Sequence, residues 1–363
     1  MSNQNGTGND FEEYLSRQVA KINVLLEKYI PKEANDEFLE AMLGKSVYRY
    51  DKLAITKAIL EPTWHLIGLG GKRWRPTMML LIIEALGKDS NQYAEFALVP
   101  EIIHNATLVI DDIEDKSQSR RGAPSVHIKY GEDVAINVGN AMYYYPMMAL
   151  IKSSKLNDNA RQRMLMTYME EMMRLHIGQG TDIAWHSAFV PAEKITEEEY
   201  LQMCYNKTGV LGRMACRLGA IIGGADEQLE TALGNLGASI GVAFQVYDDI
   251  LNITPSELAQ KKGGVGDDIT EGKITLMAIH ALKSANSEDK ARLLSILKMS
   301  TRDKALINEA IGIMDRCGGI AYAQEKRMEL AKQAWEEVDK QLDDSHPKEM
   351  MKSLIDYLVT RTV

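Results

Sequence analysis

Three stretches of this chain, at about residues 92 to 112, 164 to 186 and 227 to 251, are rich in Met, Ala, Ile and Leu on more than one side. A helix that is apolar all round is buried. Nowhere does the chain sustain the alternation of apolar and polar residues that a half-exposed strand needs, and only nine prolines interrupt 363 residues. The expected fold is therefore all-α, a bundle of long helices around a central apolar cavity. Phe11, Leu15, Val19, Ile22, Leu26 and Tyr29 recur at spacings of three and four and predict one face of a first helix. Thr196 and Glu199 make a capping box, and Asp226 precedes the run from Leu229 toward Asp249. The segment "ITPSELAQKKGGVGDDITEGK" breaks the pattern with Pro255 and a glycine pair. With no Pro/Ser-rich linker, charge block or repeat, residues 11–363 are expected to form a single domain, and the polar residues 1–10 a disordered tail.

Composition removes several classes of function. Lys and Arg number 42 against 51 Asp and Glu, a net charge of -9 that repels a nucleic-acid backbone. Cys204, Cys216 and Cys317 are odd in number and lack CxxC spacing, so neither a disulfide framework nor a thiolate metal site is expected. "MSNQNGTGND" carries no basic residue and leads into no apolar segment, unlike a secretory or transit signal. No apolar run reaches the roughly 18 residues of a membrane span; "GVLGRMACRLGAIIGG" is interrupted by Arg213 and Arg217. A cytoplasmic protein is expected.

Chemistry concentrates where apolar helices end. In "NATLVIDDIEDKSQSRRG", Asp111, Asp112 and Asp115 stand at i, i+1 and i+4, within about 100° of one helix face. Carboxylates so crowded repel one another, and acidic residues at a helix C-terminus also oppose its dipole. A hard cation such as Mg²⁺, which takes oxygen ligands and bridges substrate phosphates, relieves both costs. A second pair, Asp248 and Asp249 in "FQVYDDILN", ends another apolar helix. One DD pair is weak evidence, since it also suits a solvated turn; two pairs ending long apolar helices are far more specific.

Cations complement the acids. Lys72 and Arg75 lie in "GGKRWRP" at a helix start, where free N–H groups favour anions. Arg120 and Arg121 follow the first acidic cluster, Lys207 and Thr208 lie in "YNKTG", and Lys262 and Lys273 follow the second. Taken singly, each fits a solvated surface position better than a binding site. His104 lies about two turns before Asp111 on the same face, as a ligand contact or a core histidine.

Together these motifs resemble the trans-isoprenyl diphosphate synthases, most closely the geranylgeranyl diphosphate synthases, from about residue 66 to 285. "GGKRWRP", "HNATLVIDDIEDKSQSRRG", "LHIGQGTDIAW", "YNKTG", "FQVYDDILN" and "DDITEGK" follow the family's order. The resemblance implies the type I isoprenoid synthase fold and a homodimer. It implies Mg²⁺, three ions per site, held by Asp111, Asp115 and Asp248, with Asp112, Asp249 and Lys207 also in the catalytic set. Lys72, Arg75, His104 and Arg121 match the isopentenyl diphosphate pocket. Arg120, Lys207, Thr208, Gln245, Lys262 and Lys273 match positions that hold the allylic diphosphate, whether dimethylallyl, geranyl or farnesyl. The implied reaction is head-to-tail condensation giving the twenty-carbon geranylgeranyl diphosphate, a product able to partition into membranes, although the protein itself has no span.

The chain departs from the family pattern in three places. Asn252 ends the second motif where many relatives carry Asp, the spacing between Lys262 and Lys273 is one residue long, and Ala184 and His186 replace Tyr and Arg. Two other classes share some features. A class I terpene cyclase also pairs two metal motifs, but Asn252 stands at its Ser/Thr position and Glu257 falls one residue late. A non-catalytic partner subunit has no need of crowded carboxylates.

Product length turns on bulk along the first acidic helix. Ala106 and Thr107, five and four residues before Asp111, are small and leave the channel open there. By the resemblance, the floor falls to Tyr143, Tyr144 and His176, residues that could equally pack the core. Twenty carbons is the expected length, with twenty-five or more as the alternative.

Overall fold

The computed structural model describes residues 4–254 and 265–360. Among them the only strands are two residues each, Ser119–Arg120 and Ala123–Pro124, paired antiparallel; the other elements are helices. Helix α1 (Gln4–Tyr29) begins inside the segment expected to be a tail, because extending an existing helix fixes only one residue per added hydrogen bond. Its predicted stripe is the buried one: Ile22 and Leu26 are 0% and 1% exposed, and each contributes roughly 1.5–3 kcal/mol of burial.

The described residues group into two compact units. In the first, made of residues 1–166, 218–226 and 344–354, α1 is followed by α2 (Asp36–Leu43), α3 (Lys52–Ile55) and α4 (Glu61–Ile67), the last two joined by a π turn at Thr56–Leu60. Then come α5 (Trp74–Ala85) and α6 (Leu98–Glu114). The expected stretch 92 to 112 is not one helix: Ser90–Ala97 is a 3₁₀ segment, with Asp89 accepting from the Asn91 amide at its start. Helix α7 (Val126–Tyr130), α8 (Glu132–Tyr144) and α9 (Met147–Lys152) complete this part. Ile22, Leu26, Ile102, Ala106, Val138 and Met142 form a core joining α1, α6 and α8. Helices α6 and α8 meet at Gly139, where an added Cβ would lie 2.5 Å from the Ile110 side chain.

The second unit comprises residues 167–217, 227–343 and 355–363. Most of α10 (Asp158–His186) belongs here, followed by α11 (Glu197–Cys204), α12 (Val210–Gly223) and α13 (Glu227–Ile253). The capping box forms as expected: Thr196 Oγ1 accepts from the Glu199 amide, and the Glu199 carboxylate accepts from the Thr196 amide. Val242, Val246 and Ile250 of α13 pack with Tyr200, Met203 and the later helices in one core. Helix α10, expected to be buried all round, is not: Met169, Met173 and Ile177 are 60%, 64% and 54% exposed on one stripe. The interrupting Arg217 of α12 is paired, at 2.7 Å to Glu170, 2.8 Å to Glu171 and 2.9 Å to Glu230. Later come α14 (Asp267–Glu271) and α15 (Leu276–Ser284). No helix among the described residues is long and apolar enough to cross a membrane.

Candidate active site

In the first unit, "GGKRWRP" becomes a turn and a helix start. Gly70 takes a left-handed φ of 82° and Arg73 one of 50°, just before α5. That costs Arg73 strain, which a buried network offsets. Its guanidinium pairs with Glu101 of α6 at 2.5 Å and donates to the Ile67 carbonyl at 3.0 Å and Asn23 at 3.2 Å. Asn105 also donates to Glu101, at 3.1 Å. Sequence reading passed over Arg73, Glu101 and Asn105; a lone acid in an apolar helix was the available signal.

Arg75 is buried beside this network with its Nε lacking a hydrogen-bond partner. Burial, then the neighbouring Arg121, push its guanidinium down to about 10, against the pull of Glu101. Burial and the charges of Arg75, Arg121, Arg73 and Arg120 hold His104 well below the ordinary imidazole range, so it is neutral. Arg121 reaches this group from the tip of the hairpin, whose turn residues Arg121 and Gly122 have φ of 53° and 80°. A two-residue turn with both φ positive fits the twist of paired strands. Its guanidinium donates to the Gly70 carbonyl, and an added Cβ on Gly71 would sit 3.5 Å from it. The structure thus brings Arg75, His104 and Arg121 together around one anion-seeking spot.

At the end of α6 the three aspartates part company. Asp112 is fully buried and accepts from Arg120 Nε at 2.8 Å and from its terminal nitrogen, while Oδ2 has no partner. Burial raises its carboxyl above the usual range. Asp111 and Asp115 are only partly buried, one turn apart. Their oxygen-only donors suit a hard cation. Among the described residues no three acidic, His or Cys side chains gather closely enough to hold an ion unaided.

In the second unit, Lys207 and Thr208 lie in a second π turn, Tyr205–Gly209, a local widening common at functional sites. Glycines let it fit: an added Cβ on Gly178 would lie 2.5 Å from the Lys207 amide nitrogen, and on Gly241 2.6 Å from the Gly209 Cα. Lys207 pairs with Asp182 at 2.5 Å. Thr208 donates to Gln245 at 2.8 Å, and Gln245 to Asp249 at 2.8 Å. Tyr200 donates to the other oxygen of Asp249 at 2.7 Å. Burial, with Asp248 adding to it, pushes Asp249 up to about 6 against these hydrogen bonds. Asp268 of α14 stands well above the usual range for the same reason, with Asp249 nearby and Lys273 pulling the other way. Asp182, Tyr200 and Asp268 were missed: the first and last lie inside quoted motifs, whereas nothing local marks Tyr200. Lys273 also pairs with Glu271 at 2.6 Å. Asn252, where relatives carry Asp, accepts from the Asp268 amide at 3.1 Å. Lys262 lies outside the described residues.

The expected floor is only partly assembled. Tyr143 packs against the α1–α6–α8 core, but Tyr144 is 70% exposed, since adjacent helical residues point about 100° apart. His176 Nδ1 lies 2.8 Å from the Met172 carbonyl of its own helix. Ala106 is fully buried in helix packing, and Thr107 donates to the His104 carbonyl at 2.8 Å. Tyr145, not singled out, stacks on Phe38, donates to the Tyr29 carbonyl and lines a cavity of about 410 Å³ with Met42, Leu98 and Ile102.

The nearly all-helical architecture, with acidic clusters at the ends of two long helices, is that of the all-α isoprenoid synthases. The chain matches the polyprenyl synthetase family over residues 56–314 and belongs to it. It is 35% identical to the short chain isoprenyl diphosphate synthase of Methanothermobacter thermautotrophicus, over 84% of this chain and 91% of that one. Identity to the geranylgeranyl pyrophosphate synthase of Eremothecium gossypii is 36%, over 75% and 85%. The geranylgeranyl pyrophosphate synthetase structure from Pyrococcus horikoshii matches with a TM-score of 0.82 and 30% identity, over 97% of this chain and all of that one.

Proposed function

We propose that the chain joins isopentenyl diphosphate head-to-tail to allylic diphosphates and stops at geranylgeranyl diphosphate. The observation that carries this is buried Arg75, with a free Nε beside neutral His104 and Arg121: a diphosphate pocket separate from the aspartates. A terpene cyclase, which takes one diphosphate, has no use for it. The names of the relatives support the substrate class and the twenty-carbon length.

In this reading Lys72, Arg75, His104 and Arg121 seat isopentenyl diphosphate. Lys207, Thr208 and Gln245, with Arg120, Lys262 and Lys273, hold the allylic diphosphate, and their charge favours its departure. Three Mg²⁺ ions, held by Asp111, Asp115 and Asp248, would supply the Lewis-acid share of that stabilisation. Apolar walls exclude water from the allylic cation; the isopentenyl double bond attacks it, and a proton passes to the departed diphosphate. The exposed stripe of Met169, Met173 and Ile177 supports a homodimer, and the compartment is read as the cytoplasm.

Incubation with Mg²⁺, isopentenyl diphosphate and each allylic primer should yield twenty-carbon diphosphate. Tyr143→Ala should add at least one five-carbon unit, because Tyr143 is the buried member of the expected floor. Cyclised hydrocarbon, or no consumption of isopentenyl diphosphate, would overturn the assignment. An unchanged product from Tyr143→Ala would move the floor elsewhere.

A further inference from the structure

The segment between α2 and α3 is unlike the rest of the surface. Val47 and Tyr48 are 87% and 86% exposed, and Leu43 and Leu53 on either side are 62% and 68% exposed. Scattered exposed apolar residues are ordinary. Four within eleven positions, two in the loop and one on each helix beside it, are a patch. Lys45 and Arg49 alternate with them, both exposed, and residues 43–50, "LGKSVYRY", contain no acid, in a chain whose net charge is -9.

The loop is also held in place. Asn35 caps the start of α2, accepting from the Phe38 amide at 2.8 Å, and Asp51 caps α3, accepting from the Ala54 amide at 3.0 Å. Lys152 of α9 donates to the Ala41 and Met42 carbonyls at 2.6 and 2.8 Å, fixing the end of α2. Apolar side chains at the tip of an anchored loop do not collapse onto their own protein.

We propose that this loop docks the protein on an anionic lipid surface, with Val47 and Tyr48 entering the headgroup boundary and Lys45 and Arg49 meeting acidic headgroups. Tyrosine and valine with flanking cations suit that boundary, where rings sit at headgroup depth and basic side chains meet negative lipids. Two cations and no acid across residues 43–50 favour an anionic surface over a second copy, whose own loop would bring the same positive charge. Docking would release a hydrophobic product where it dissolves; that purpose rests on the proposed function, but binding to lipid does not.

The test is co-sedimentation of the full chain, without substrate, with vesicles of phosphatidylcholine alone or containing about a third phosphatidylserine. The unaltered protein should partition onto the acidic vesicles at least about tenfold better. Val47→Ser with Tyr48→Ser, and separately Lys45→Glu with Arg49→Glu, should each lose about tenfold, with turnover on water-soluble primers unchanged. Equal binding to both vesicles, or variants that bind like the parent, would overturn the proposal. Variants that change the oligomeric state in size-exclusion chromatography would overturn it too, by identifying the loop as a contact between copies.

Discussion

The two acidic clusters solve the same electrostatic problem in opposite ways. At the end of α6, the buried member Asp112 is neutralised by the guanidinium of Arg120, leaving Asp111 and Asp115 at the partly exposed surface. At the end of α13, buried Asp249 has neutral partners, Tyr200 and Gln245, and shares its surroundings with Asp248 and Asp268. In the first cluster a guanidinium pairs with the buried acid; in the second, neutral hydrogen-bond donors hold it among like charges, with Lys273 acting only from nearby. An acid held by neutral partners beside other carboxylates is pushed up further than one held in an ion pair.

The largest effect expected is one the comparison does not split. Asp111→Ala and Asp248→Ala should each reduce turnover at least about a hundredfold, with far-ultraviolet circular dichroism unchanged, because losing a repelling carboxylate does not harm folding. Near-normal rates in either variant would show that only one cluster works. The clusters should diverge in folding. Arg120→Leu strands a buried, charged Asp112 and should cost about 3 kcal/mol in urea unfolding, whereas Tyr200→Phe removes one hydrogen bond to a charged acceptor and should cost about 2 kcal/mol. Equal losses would erase the distinction.

Smaller, and more diagnostic, is the response to pH. Asp249 titrates at about 6 in the folded protein and near 3.9 when unfolded, so between those values the folded state binds the extra proton. Stability without Mg²⁺ should therefore fall as pH rises from about 4 to 6, by up to about 3 kcal/mol from this group. Added Mg²⁺ favours the ionised cluster and should flatten the slope, as should Asp249→Asn. A metal-free slope unaffected by Asp249→Asn would assign the extra proton to its neighbour Asp268, which burial also holds above the usual range.

The sequence was most legible where period and spacing carry the information. The α1 stripe, the Thr196 capping box and the helices that end in aspartate all follow from local pattern. The pairing of Arg121 with the Gly70 carbonyl, 51 positions away, does not follow from local pattern. Burial on α10 was misjudged because an apolar stripe looks the same whether its own chain or another surface covers it. Tyr143 and Tyr144 could not be told apart by pattern, and the structure buries the first while leaving the second 70% exposed. The roles of Tyr200 and Asp182 were invisible for a different reason: each is a partner across long sequence separation, fixed only when helices pack.

The π turn at Tyr205–Gly209 makes α11 and α12 a single rod with a phase shift written into it. A π turn holds one residue more than an α turn over the same path. Deleting one residue of "YNKTG" would let the rod run on as ordinary helix over that same path, with Val210 to Arg217 still facing as they do. Arg217 would keep Glu170, Glu171 and Glu230, which it now meets within 2.9 Å. What such a deletion removes is the widened backbone at Lys207 and Thr208, not the packing beyond it.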